Sequence, residues 1–96
     1  MAIHNVVLTW QAPADATVSS TYNIYRANGL CTGTPTFAKI NPSAITVLTY
    51  TDSTVAVGSS YCYYGTQVQG ATESLPSNQA GGTITPNTIT IQLVIA

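Results

Sequence analysis

Val6-Val7-Leu8-Thr9-Trp10 reads with a period of two: Val6, Leu8 and Trp10 fall on one face, Val7 and Thr9 on the other. A half-buried β-strand alternates in this way because successive side chains point to opposite faces of a sheet. The same period recurs outward along the chain. Tyr22 and Ile24 share a face of Tyr22-Asn23-Ile24-Tyr25-Arg26, and Leu48 and Tyr50 share a face of the β-branched run 47–51. Phe37 to Ile40 is a short candidate, Tyr61 to Val68 is the longest run, and Ile84 closes another that begins after Ser77. In the tail Thr88-Ile89-Thr90-Ile91-Gln92-Leu93-Val94-Ile95, one face carries Ile89, Ile91, Leu93 and Ile95. Turn formers stand between the runs: Asn28-Gly29, Gly33-Thr34-Pro35, Asn41-Pro42-Ser43, Val57-Gly58-Ser59, Gly81-Gly82 and Pro86-Asn87. No stretch keeps a helical period long enough to matter. Short strands with turn signals about every 8–12 residues predict an all-β fold, a sandwich or a barrel.

Composition narrows the function. The 96 residues are one domain's worth of chain, and a domain of that size buries about 60–70% of the surface its unfolded chain exposes. Hydrophobic residues make up 45% of the sequence, so a core is affordable, while charged residues make up only 5%. Those five are Arg26, Lys39, Asp15, Asp52 and Glu73. Disordered chains combine low hydrophobicity with high net charge, and a net charge of -1 excludes that class. Two basic residues cannot neutralise a phosphate backbone, which excludes nucleic acid as a partner. Membrane insertion is equally unexpected: the apolar stretch Ile89 to Ala96 is far shorter than the roughly 20 residues a spanning helix needs. The N-terminus lacks the basic start and apolar run of a signal peptide. The chain is then either a mature or excised piece with an added Met1, or a protein made in a cytoplasm and released by other means. A surface so poor in charge offers little repulsion between copies and permits self-association.

Five motifs stand in order: Val-Leu-Thr-Trp (7–10), Tyr-Asn-Ile-Tyr-Arg (22–26), Thr-Tyr-Thr-Asp (49–52), Val-x-x-Gly-x-x-Tyr-x-Tyr (55–63) and Ser-Leu-Pro-Ser-Asn (74–78). Together they resemble a fibronectin type III (immunoglobulin-like) module of the bacterial or phage type, over roughly residues 4 to 84. The resemblance implies a β-sandwich with strands B (4–10), C (21–26), C′ (36–40), E (47–51), F (60–69) and G (77–84). It implies a core of Trp10, Tyr22, Ile24, Tyr50, Tyr61 and Tyr63. Tyr61 becomes the tyrosine corner, its hydroxyl bonding the backbone just upstream. Gly65 and Gln67 depart from the pattern, which places inward Val and Ala there. A buried Gln without partners costs about 1–3 kcal/mol.

In that fold strands C and F are antiparallel neighbours, and Cys62 points out of the sheet where the loop carrying Cys31 can meet it. A Cys31–Cys62 disulfide is expected, with two free thiols as the alternative. A bridge implies an oxidising, extracellular or virion-associated home. No metal site is expected, because His4 is the lone histidine. No cofactor motif appears. General acid–base catalysis needs titratable groups held together, and the inventory is too thin for it, so no catalytic residue is assigned. Asp52, in a Thr-Asp-Ser-Thr turn, is expected to cap backbone N–H groups. Asp15 and Glu73, on loops that share one end of the fold, are expected within reach of each other. Tyr25 and Tyr64 face outward, either as an aromatic patch for a glycan or protein partner or as a stabilising cross-strand pair.

The resembled module begins with a strand A, for which there is no room before residue 4, yet an extra strand follows G. The chain therefore divides into a sandwich over 1–86 and an extra strand over 87–96. Donated to another copy, that strand pairs antiparallel with strand B and buries Ile89, Ile91, Leu93 and Ile95 in the neighbour. Docked in its own chain, it lies as a hairpin beside G or parallel to B. It can also be an accident of where the chain is cut. The expected function is non-catalytic: a structural protein self-assembling into a filament, ring or virion-surface assembly by strand complementation. The alternative is a binding or spacer module of a larger secreted or phage protein, contacting glycans or the proteins of a virion or cell surface.

Overall fold

Every regular element formed by residues 5–95, the stretch that the computed structural model describes, is a β-strand. In chain order they are β1 (Val6–Trp10), β2 (Thr21–Asn28), β3 (Ala38–Lys39), β4 (Thr49–Asp52), β5 (Ser60–Gln69), β6 (Thr72–Glu73), β7 (Ala80–Thr83) and β8 (Ile89–Leu93). They form two sheets. One has the order β4-β1-β8, and the other has the order β3-β2-β5-β6 with β7 also paired to β5. All pairs are antiparallel except β1 with β8, which is parallel in the register Val6↔Ile89 to Trp10↔Leu93.

The alternation explains the layers. Val6, Leu8 and Trp10 of β1 are buried while Val7 and Thr9 are half-exposed, and Tyr22 and Ile24 of β2 follow the same rule. These residues meet Tyr61, Tyr63, Ile84, Ile91, Leu93 and Ile95 in one core between the sheets. Of the expected core, Trp10, Tyr22, Ile24, Tyr61 and Tyr63 lie inside it. Tyr50 does not: it packs at the rim, half-exposed, and its hydroxyl donates to the Ile40 carbonyl at 3.3 Å.

Strand limits differ from the sequence reading where the chain changes sheets. The strand expected over 47–51 starts at Thr49. Ile45 is still bonded to Tyr22 in both directions (2.9 and 3.2 Å), so residues 46–48 make the crossing between sheets. Val47 and Leu48 are consequently exposed. β2 runs two residues past its expected end, to Asn28, because β5 is long enough to pair with all of it, up to Asn28↔Tyr61. The two-residue β6, folded back on β5 through Gly70 at φ 61°, carries no alternation to announce it. His4, expected to open the first strand, lies outside the described residues.

Candidate functional site

The tail forms the strand that the sequence called for, and it lies in its own chain, parallel to β1. Of the placements open to it, the structure has this one: the connection 84–88, bent at Pro86-Asn87, carries the chain from β7 in one sheet to β8 in the other. β8 thereby forms the edge of the three-stranded sheet. Ile91, Leu93 and Ile95 are buried at 8%, 3% and 5% exposure, and Ile89 packs half-buried against them. The opposite face, Thr90, Gln92 and Val94, is exposed. Besides its ladder with β1, the strand is held by Ile89 N–H donating to the Asn5 carbonyl (3.0 Å) and by Val94 N–H donating to Asn78 Oδ1 (2.7 Å).

The slot that receives the tail is shaped by β5. Gly65, opposite Ile24 in the β2–β5 register, leaves a recess at the middle of that strand. A Cβ built there would sit 2.9 Å from Ile95 Cδ1 and 3.2 Å from both Leu93 Cδ1 and Ile24 Cδ1. The volume that an inward Val supplies in the resembled pattern is here supplied by β8 and the residues after it. Gln67, the other departure, is buried and satisfied. Its Oε1 accepts from Ser20 Oγ (2.8 Å) and Gln69 Nε2 (3.0 Å), and its Nε2 donates to Asp15 Oδ1 (3.1 Å). At the far end of the slot Trp10, paired with Leu93, keeps its buried Nε1–H without a hydrogen-bond partner among the described residues. Beside it a shallow cavity of about 280 Å³ is lined by residues 11–14 and 93–95.

The other half of the protein is fastened by specific bonds. Cys31 and Cys62 form a disulfide, tying the loop after β2 to β5. Asp52 does cap its turn, accepting from Thr54 N–H (3.0 Å) and Thr54 Oγ1 (2.6 Å). It also does what the sequence did not announce. From β4 it reaches across to the second sheet, where Oδ2 accepts from Arg26 Nη1 at 2.9 Å and from the Tyr63 hydroxyl at 2.8 Å. Burial pushes the Asp52 carboxyl up, but the bonds from Thr54, Tyr63 and Arg26 outweigh it and hold it below the usual carboxylate range. Burial and the Asp52 charge push the Tyr63 phenol up. The Arg26 guanidinium also lies 4.9 Å from the Tyr61 ring centroid, a cation–π distance. Tyr61 in turn accepts from Ala56 N–H at 3.0 Å, the bond to upstream backbone expected of it.

On the outer face Tyr25 and Tyr64 are directly opposed and stacked, with centroids 4.7 Å apart, and Phe37 meets Tyr64 edge-on at 4.7 Å. Glu73 joins this cluster, its Oε2 accepting from the Tyr25 hydroxyl, Thr66 Oγ1 and Asn23 Nδ2. Those bonds, Thr66 first, hold the Glu73 carboxyl down. Burial, then Glu73, pushes the Tyr25 phenol up to about 12. Asp15 and Glu73, expected as neighbours, have separate partners: Asp15 goes to Gln67 and Glu73 to the aromatic cluster. The sequence named Phe37 and Glu73 but did not place them beside Tyr25 and Tyr64, because Phe37 precedes and Glu73 lies in a two-residue strand with no periodicity. Among the described residues, no three His, Cys, Asp or Glu side chains gather as metal ligands would. Compared with protein-family models and with curated proteins, the chain finds no match.

Proposed function

We propose that this protein is a non-catalytic structural module, of the fibronectin type III kind, that assembles outside cells or on a virion by exchanging its C-terminal strand between copies. One observation carries the reading: a wholly apolar strand face closes the core from the edge of a sheet. Burying Ile91, Leu93 and Ile95 is worth roughly 5–9 kcal/mol. β8 is paired on one side alone, so it can leave without breaking a second ladder.

A strand donated by another copy presents the same apolar face, Ile89-x-Ile91-x-Leu93-x-Ile95, and can take the place that β8 holds, parallel to β1. Donor and acceptor surfaces differ, so repeated donation generates a ring or a filament. The disulfide supports an oxidising setting. Size measurement by light scattering over a range of concentrations tests the reading. Oligomers that disappear on deleting residues 87–96, or in Ile91→Asp, are expected. A chain that stays monomeric at every concentration would contradict it.

The stacked Tyr25 and Tyr64 with Phe37 favour a second reading, a module that contacts a glycan or protein through this face. Its discriminating result is binding of a glycan or surface protein by the monomer, lost in Tyr64→Ala.

A further inference from the structure

We infer that the recess at Gly65 is the recognition pocket of a strand-binding slot, shaped to take the Leu93 and Ile95 side chains of a strand donated by a second copy as it takes the chain's own. The donation rests on the assembly reading above; the pocket does not. Glycine is a poor choice inside a strand, where it loses entropy and packs nothing. Gly65 nevertheless sits within the ten-residue β5, buried, between β2 and the segment that leads into β7. Its backbone does not demand glycine, since the positive-φ glycines are Gly29, Gly33, Gly58 and Gly70. What demands it is space. Of the three side-chain tips within 3.2 Å of its missing Cβ, two belong to Leu93 and Ile95.

The recess is also held open. Gly65 N–H donates to Ser77 Oγ at 2.8 Å, and its carbonyl accepts from Ser77 N–H at 2.8 Å, so β5 cannot sink to fill it. The result is an apolar site for a β-strand with large side chains two residues apart. Thr90, Gln92 and Val94 on the opposite face are exposed and play no part in this fit. A residue of the acceptor and two of the tail are thus matched in size across the interface that exchange would rebuild in trans.

Size swapping in the intact chain tests this. Gly65→Val puts carbon where the tips of Leu93 and Ile95 lie, and hydrogen exchange of the Ile89–Leu93 amides should quicken by about tenfold or more, as at an overpacked site. Adding Leu93→Ala should slow it again. Unchanged exchange in Gly65→Val, or a quickening that Leu93→Ala does not relieve, overturns the pocket. If the valine variant does not fold, Gly65→Ala with and without Ile95→Ala is read in the same way. In trans, Gly65→Val can donate but not accept, and Leu93→Asp can accept but not donate. Each alone should run as a monomer, and the two mixed should give a one-to-one complex by native mass spectrometry. A mixture that stays monomeric while Gly65→Val releases its strand sinks the assembly reading and leaves the pocket standing. A complex that forms equally well when the Leu93→Asp partner also carries Gly65→Val overturns the pocket.

Discussion

The β2–β5 region and the β8 edge bury comparable side chains but are fixed by different physics. β5 has strands on both sides, a disulfide, and a tyrosine bonded to a buried carboxylate of the opposite sheet. β8 has a strand on one side and a face of Ile and Leu, with two hydrogen bonds beyond its ladder. Apolar contact is non-directional, so the side chains of β8 close the core without a specific bond of their own. Directional bonds and a covalent staple commit β2 and β5 to one arrangement. The difference teaches that one half specifies the fold while the other completes it.

The comparison breaks most severely at the edge. Ile91→Asp puts a charge on a buried site, and loss of β8 docking is expected, a destabilisation of about 4 kcal/mol or more. Denaturant melts should report it, while β2 and β5 amides keep their slow hydrogen exchange. In the bonded half, Asp52→Ala strands Arg26 and unbonds Tyr63, and should remove about 3–5 kcal/mol, read as a shifted urea midpoint. Replacing both cysteines with serine opens a loop of sequence separation 31, and about 3 kcal/mol should go, again throughout the molecule. The smallest effect belongs to the outer face. Tyr25→Phe removes the bond to Glu73 and should remove about 1 kcal/mol or less.

The pH dependence sharpens the same contrast. Asp52 is held below its unfolded value, so its contribution is complete above the unfolded carboxylate range near 4 and is lost as pH falls toward its lower folded value. Asp52→Asn should reduce that acid limb, with Glu73 supplying the rest. Tyr25 is raised to about 12, so its contribution is complete below the unfolded value near 10 and is lost as pH rises through 10 to about 12. Tyr25→Phe should reduce the alkaline loss, with Tyr63, Tyr64 and Tyr50 supplying the remainder. The β8 face carries no titratable group and should add nothing to either limb.

Much of this was legible in the sequence. Period two marked β1, β2 and β8, because each has one face in the core, and it marked Trp10, Ile24 and Leu93 as buried for the same reason; β5, buried on both faces, was read from its length. The disulfide followed from the expected neighbourhood of two strands. What stayed hidden depended on contacts between distant segments. Asp52 read as a turn residue because its turn is local, whereas its bonds to Arg26 and Tyr63 cross between sheets. Glu73 sits on a strand too short to alternate. Gly65 and Gln67 read as departures because their compensations, the tail and Ser20 with Asp15, lie far away in the chain. The direction of β8 was open because a face of Ile, Ile, Leu and Ile is the same from either end.

Native-state hydrogen exchange across the intact chain addresses the difference between the two halves most directly. The Ile89–Leu93 amides should open at a lower free energy than those of β2 and β5, in a step that leaves the disulfide-linked sheet protected. Exchange of the β8 amides only through global unfolding, with the same free energy as β5, would contradict the account.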